Sequence, residues 1–140
     1  VLTALKAKID PRQSTPLTLA YLGDAVYELW VRTYLIAKGE TNLNQAHRLA
    51  VELVNARTQA VLSHQIASWL NEEELEYLRR GRNAKSHVPK SAAMIEYRQS
   101  TGLECLVGYW YLTDQNARLE RLFTELLALE GVNTNEGRTD

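Results

Sequence analysis

The chain has 140 residues, room for one domain with a hydrophobic core and too few for two. A hydrophobic content of 45% beside 24% charged residues fits a soluble globular protein, and no apolar run approaches the ~20 residues that cross a bilayer. A formal net charge of −1 does not announce a polyanion partner, so a nucleic-acid contact must rest on local charge. The single cysteine, Cys105, excludes an internal disulfide framework and fits a reducing, cytoplasmic setting. The opening "VLTALKAKID" is broken by lysines and then proline, unlike a signal peptide.

Taken in order, the elements read as helices almost throughout. Residues 1–8 form a short helix, and "DPRQSTP" breaks the chain. Ser14 or Thr15 before Pro16 starts the next helix. Residues 17–38 are apolar on nearly every side and stop at Gly39, so this helix packs in a core or against a second subunit. Leu43, Ala46, Leu49, Ala50, Leu53 and Val54 recur at helical spacing, predicting one helix to about Ala56 and another from about Thr58. "NEEELEYLRRG" has an Asn cap, three glutamates in its first turn and arginines in its last, and is expected to stop at Gly81. "RNAKSHVPKSA" is a polar connection. Residues 92–112 form one or two further helices, and 114–130 a last amphipathic one. Without strand pattern or repeat, the expectation is an all-α helical bundle with a single domain over 1–132 and a disordered tail over 133–140.

Two acids stand out. Asp24 lies in "YLGDAVYE" beside Gly23, and Glu104 lies in "STGLECLVGYWYL", with Gly108 at i+4 on its own face. Glycine costs about 1 kcal/mol against alanine in a helix, but it lets two backbones approach closely. If the two helices cross at these glycines, the carboxylates converge and repel unless a cation lies between them. Mg²⁺ suits such a pair: it takes oxygen ligands at ~2.1 Å, keeps several waters and often uses only one or two carboxylates. Each acid alone reads better as a surface carboxylate or an arginine partner than as a ligand; together, beside glycines in apolar helices, they favour a metal site. Glu28, one turn after Asp24, is a candidate outer group, but Glu28 and Arg32 have the i,i+4 order of a surface ion pair.

"LRRGRNAKSHVPK" concentrates positive charge without an acid. Arg79, Arg80, Arg82, Lys85 and Lys90, extended by Arg98, are candidate phosphate contacts. For Arg79 and Arg80 the competing reading is a helix C-terminus complemented by its own arginines. His47, His64 and His87 share no zinc-ligand spacing, and Cys105 reads as core.

"LAYLGDAVYELWV" resembles the signature helix of the ribonuclease III catalytic domain, and "STGLECLVGYWYL" resembles its second acidic helix. "RLAVELVNARTQA" is similar to the intervening helix; "RRGRNAKS", "PK" and "YRQSTGLE" resemble the Mini-III branch in particular. The resemblance covers roughly residues 17–128. It implies a homodimeric, all-helical endonuclease that uses Mg²⁺ to cut double-stranded RNA, leaving 5′-phosphate and 3′-hydroxyl ends. For the Mini-III branch it implies a ribosomal RNA precursor of the large subunit as substrate, no separate double-stranded-RNA-binding domain, and a ribosomal protein as a further candidate partner. Asp24 matches the signature aspartate and Glu104 the essential glutamate, so both are the expected catalytic and metal-binding residues. Ala20 and Thr101 stand where larger family members carry further acids. Two acids can hold one Mg²⁺ through a water-rich shell, whereas a second metal loses its usual ligands.

The rival readings are a non-catalytic RNA-binding or assembly module that retains the fold, supported by the thinned acid set, and a helical protein–protein adaptor, opposed by the 78–90 charge cluster.

Overall fold

A computed structural model describes residues 1–84 and 93–136, with side chains through 130. Among the described residues there is no strand, and seven α-helices account for the fold: α1 (Leu2–Ala7), α2 (Pro16–Ala37), α3 (Leu43–Val54), α4 (Ala56–Ile66), α5 (Glu72–Arg82), α6 (Ala93–Leu112) and α7 (Asn116–Glu136). Short 3-10 turns occupy Pro11–Gln13 and Ala67–Trp69. No described helix is long and apolar enough to cross a membrane.

Local chemistry accounts for most helix boundaries. Thr15 caps α2 by accepting from the Thr18 amide at 3.1 Å, and Pro16 follows at the first helical position, where a missing N–H costs nothing. Gly39, at φ +103°, turns the chain out of α2. The α3–α4 break falls on Asn55, with each helix boundary two residues earlier than expected. Its side chain accepts from the Thr58 amide at 2.8 Å and donates to the Val51 and Glu52 carbonyls at 3.0 Å, closing both helix ends with one residue. Asn71 and Glu74 form a reciprocal capping box at the start of α5.

α6 is the central helix, clasped by α2, α4 and α5, with α7 against it as well. Its burial extends nearly all round: from Ser100 to Trp110, only Glu104 is less than fully buried. Two close crossings seat it. A Cβ on Gly23 would lie 1.8 Å from the Glu104 carbonyl oxygen, and one on Gly108 would lie 2.1 Å from that of Leu19, so α2 and α6 touch backbone to backbone. On the opposite side, a Cβ on Gly81 would come within 2.7 Å of the Gly102 Cα.

The second crossing corrects one expectation. Gly81 does not end α5, which continues to Arg82; it is a packing residue that lets α5 approach α6. The last helix also runs past its expected end, through Gly131 to Glu136 and into the segment read as tail. One glycine without a following proline is too weak a breaker to stop a helix whose preceding turns are anchored by buried Leu122 and Leu126.

Candidate active site

The α2–α6 crossing brings Asp24 and Glu104 together. Asp24 follows Gly23 on the exposed side of α2, and Glu104 supplies the carbonyl against which Gly23 packs. Their carboxyl groups lie close enough for the charge of Asp24 to act on Glu104. Burial, joined by the charge of Asp24, pushes the Glu104 pKa from 4.5 up to about 7, only partly opposed by a hydrogen bond from Ser100. Among the described residues, no basic side chain offsets it.

The surroundings of the pair are polar where a core would be apolar. The Ser100 hydroxyl, one turn before Glu104, lies 3.1 Å from its Oε1 and also donates to Oε1 of Gln59 on α4. Tyr27, fully buried one turn below Asp24, donates to the Leu53 carbonyl at 2.8 Å. Burial and the nearby Glu104 raise its pKa, so the phenol stays protonated and cannot act as a base. Gln59, Ser100 and Tyr27 were missed in the sequence because each lies at helical core spacing and its partner comes from another turn or another helix.

The positions of the thinned acid set are closed. Ala20 is 6% exposed, and Thr101 is 9% exposed with its hydroxyl donated to the Tyr97 carbonyl at 3.0 Å. Glu28 accepts from Arg32 Nη2 at 2.8 Å, the ion pair its spacing suggested. No group of three or more His, Cys, Asp or Glu side chains with metal-binding geometry occurs among the described residues. A cation between Asp24 and Glu104 would therefore complete its shell with water or substrate oxygens, and an all-oxygen donor pair with uncompensated charge fits a hard ion such as Mg²⁺.

The basic residues divide. Arg79 is exposed and bonds Glu76 through its Nε at 3.1 Å. Arg80 is half-buried, donates to the Ser14 carbonyl at 3.2 Å and lies over the Tyr77 ring, so it braces α5 against the start of α2. Arg82 and Arg98 are exposed. Lys85 and Lys90 lie outside the described residues. Arg82 lines a small groove with Ser63, His64 and Gln99, and a neighbouring groove is lined by Arg57, His64, Gln65 and Gln99. Both grooves share His64 and Gln99 in their lining. Arg57 and His64 were passed over in the sequence because α4 carries no charge run. A larger groove, about 720 Å³, is elsewhere: it is apolar, lined by Ile9, Leu17, Tyr21, Leu22, Ala25 and Leu112.

Comparison with known proteins identifies the family. The Ribonuclease III domain family matches residues 17–115, which span both acidic helices. Mini-ribonuclease 3 of Desulfitobacterium hafniense is 50% identical over 115 residues, covering 82% of this chain and 73% of that protein. Mini-ribonuclease 3 of Clostridium tetani is 42% identical over 93% of this chain and 88% of its own length. A crystal structure of a protein from Fusobacterium nucleatum superposes with a TM-score of 0.75 at 30% identity, covering 81% of this chain and 93% of that one. The chain thus belongs to the ribonuclease III family, on its Mini-ribonuclease 3 branch, and is an endoribonuclease.

Proposed function

We propose that this endoribonuclease cleaves double-stranded RNA by Mg²⁺-assisted phosphodiester hydrolysis at the Asp24–Glu104 pair, maturing the large-subunit ribosomal RNA precursor. The observation that carries the reading is the meeting of two carboxylates at a backbone-to-backbone helix crossing, one of them partly buried and with no basic partner among the described residues. Such a pair is costly for a purely structural purpose and suited to a divalent ion. Asp24 and Glu104 would hold the ion, which when bound supplies positive charge to polarise a phosphoryl oxygen and a water nucleophile. Tyr27 and Leu53, both buried and joined by a hydrogen bond, tie α2 to α3 near the acids.

Arg57, Arg82 and Arg98, with Lys85 and Lys90 as further candidates, hold the RNA phosphates. Duplex RNA is recognised mainly through its backbone and the 2′-hydroxyls of its shallow minor groove, so exposed guanidinium groups are an apt reader.

A homodimer completes the reading. Along α2, Tyr21, Leu29 and Ile36 are 75%, 67% and 70% exposed, and Tyr21 borders the 720 Å³ apolar groove. An apolar stripe on the helix that carries Asp24 is suited to bury itself against a second copy, bringing two sites to one duplex, one for each strand. A ribosomal protein that shapes the RNA remains a candidate partner of the substrate.

The test is cleavage of a duplex ribosomal RNA fragment with Mg²⁺. The wild type should cut both strands, while Asp24→Asn and Glu104→Gln should each lose at least about 100-fold in rate and still bind the duplex, since a site's charge is removed but no phosphate contact. Wild-type binding without cleavage at any Mg²⁺ concentration would favour a non-catalytic RNA-binding module instead.

A further inference from the structure

Gln59 and Ser100 are buried polar residues, 2% and 6% exposed, at the seam where α4 packs on α6. A helix–helix seam is normally apolar, because each buried polar group costs about 1–3 kcal/mol when its hydrogen bonds are unmet. Here the two form a chain that ends on the site: Ser100 Oγ lies 3.1 Å from Glu104 Oε1 and is also bonded to Gln59 Oε1. Ser100 is four residues before Glu104 and so shares its face of α6, while Gln59 comes from a different helix.

We propose that Gln59, acting through the Ser100 hydroxyl, is a positioning residue that fixes Glu104 Oε1 for the divalent cation. This rests on the reading of Asp24 and Glu104 as the cation site. The argument is one of proton accounting. A serine hydroxyl has one hydrogen, yet Ser100 faces two acceptor oxygens, Gln59 Oε1 and Glu104 Oε1. When Glu104 is an ionised ligand it can only accept, so the hydroxyl hydrogen must turn to it. Gln59 meets that demand by rotating its amide and presenting Nε2 to Ser100 Oγ as a donor. Oxygen and nitrogen of the amide are nearly isosteric and the terminal torsion is broad, so the exchange needs little movement of the packed seam. Methionine or leucine could fill the same space but cannot donate, and glutamate could not donate once ionised. A hydroxyl pinned in this way removes rotamer freedom from Glu104, whose long side chain otherwise samples several orientations.

Orienting partners of metal ligands typically change metal affinity by 10–100-fold when removed. The experiment is calorimetric titration of RNA-free protein with Mn²⁺, a spectroscopically visible substitute for Mg²⁺, alongside cleavage at low and saturating Mg²⁺. Gln59→Met and Ser100→Ala should each weaken Mn²⁺ binding about 10-fold. The double variant should be no weaker than either single one, because the two act as a unit. Ser100→Thr, which keeps the hydroxyl, should restore binding. Cleavage by Gln59→Met should fall at low Mg²⁺ and recover at saturating Mg²⁺ with KM for RNA unchanged, which a general loss of structure would not produce. Wild-type Mn²⁺ affinity in Gln59→Met overturns the proposal while leaving the cation site standing. Should Gln59→Met fail to fold, Ser100→Ala removes only one oxygen, and unchanged affinity there overturns the proposal equally. Unchanged Mn²⁺ binding in Asp24→Asn and Glu104→Gln would instead remove the cation site itself, and the positioning role with it.

Discussion

Two glutamates in the same small core show how residue environment separates structure from chemistry. Glu74 is 1% exposed, yet it accepts from Trp110 Nε1 at 2.7 Å, Arg118 Nε at 2.7 Å and the Asn71 amide at 2.9 Å. Burial alone would raise its pKa, but these hydrogen bonds outweigh it and hold the carboxyl below its ordinary value. Glu104 is less buried and far less satisfied, and its pKa goes the other way, to about 7. Between pH 4.5 and about 7 the folded protein keeps a proton on Glu104 that the unfolded chain has released. Stability therefore falls as pH rises through this window, and above pH 7 the whole penalty is present. Glu104→Gln should accordingly stabilise the metal-free protein by about 1–3 kcal/mol at pH 8, allowing for solvent screening, and by almost nothing at pH 4. Urea denaturation at the two pH values checks this. Equal stability at pH 8 would mean that neither burial nor the charge of Asp24 penalises an ionised Glu104.

At the scale of elements, glycine placement decides the site. α2 and α6 meet with a Gly23 Cβ position 1.8 Å from a carbonyl oxygen, a distance no side chain adjustment can relieve. Gly23→Ala or Gly108→Ala should therefore cost about 3 kcal/mol or more, measurable as a large drop in Tm, with cleavage lost as the carboxylates move apart. An alanine tolerated at both positions would show that the crossing is not tight. The pairing of Gly23 with Asp24 and of Gly108 with Glu104 was legible in the sequence because a glycine and an acid are both anomalies in an apolar helix. Gly81 was legible only as a glycine: its position after two arginines looked like a helix end, and nothing local revealed Gly102 of α6 opposite it. The hydrogen bonds of Gln59 and Glu74 were invisible for the same reason. Their partners lie 41 and 44 residues away in Ser100 and Arg118, and single residues at core spacing carry no mark of what a distant helix will present.

At the scale of the whole molecule, the exposed apolar stripe of α2 is the feature least suited to an isolated chain. Tyr21, Leu29 and Ile36 lie on the helix that also carries Asp24, so burial of this stripe against a second copy would brace the site it flanks. Tyr21→Lys combined with Leu29→Lys should convert a dimer to a monomer in sedimentation equilibrium, with little change in helix content and a lower cleavage rate. A wild type that sediments as a monomer at high concentration would contradict the dimer. The all-α bundle was legible at this scale from periodicity and caps, whereas the grooves beside Arg57 and His64 were not, because they exist only between α4, α5 and α6.

The central claim is that the α2–α6 crossing builds a divalent-cation site from two carboxylates. Crystals of the protein soaked in Mn²⁺ and measured at the manganese absorption edge test it most directly. The account expects an anomalous peak within about 2.2 Å of an oxygen of both Asp24 and Glu104, with water completing the shell. Crystals of a form that cleaves duplex RNA under the same Mn²⁺ concentration, yet with no metal between those side chains, would contradict it.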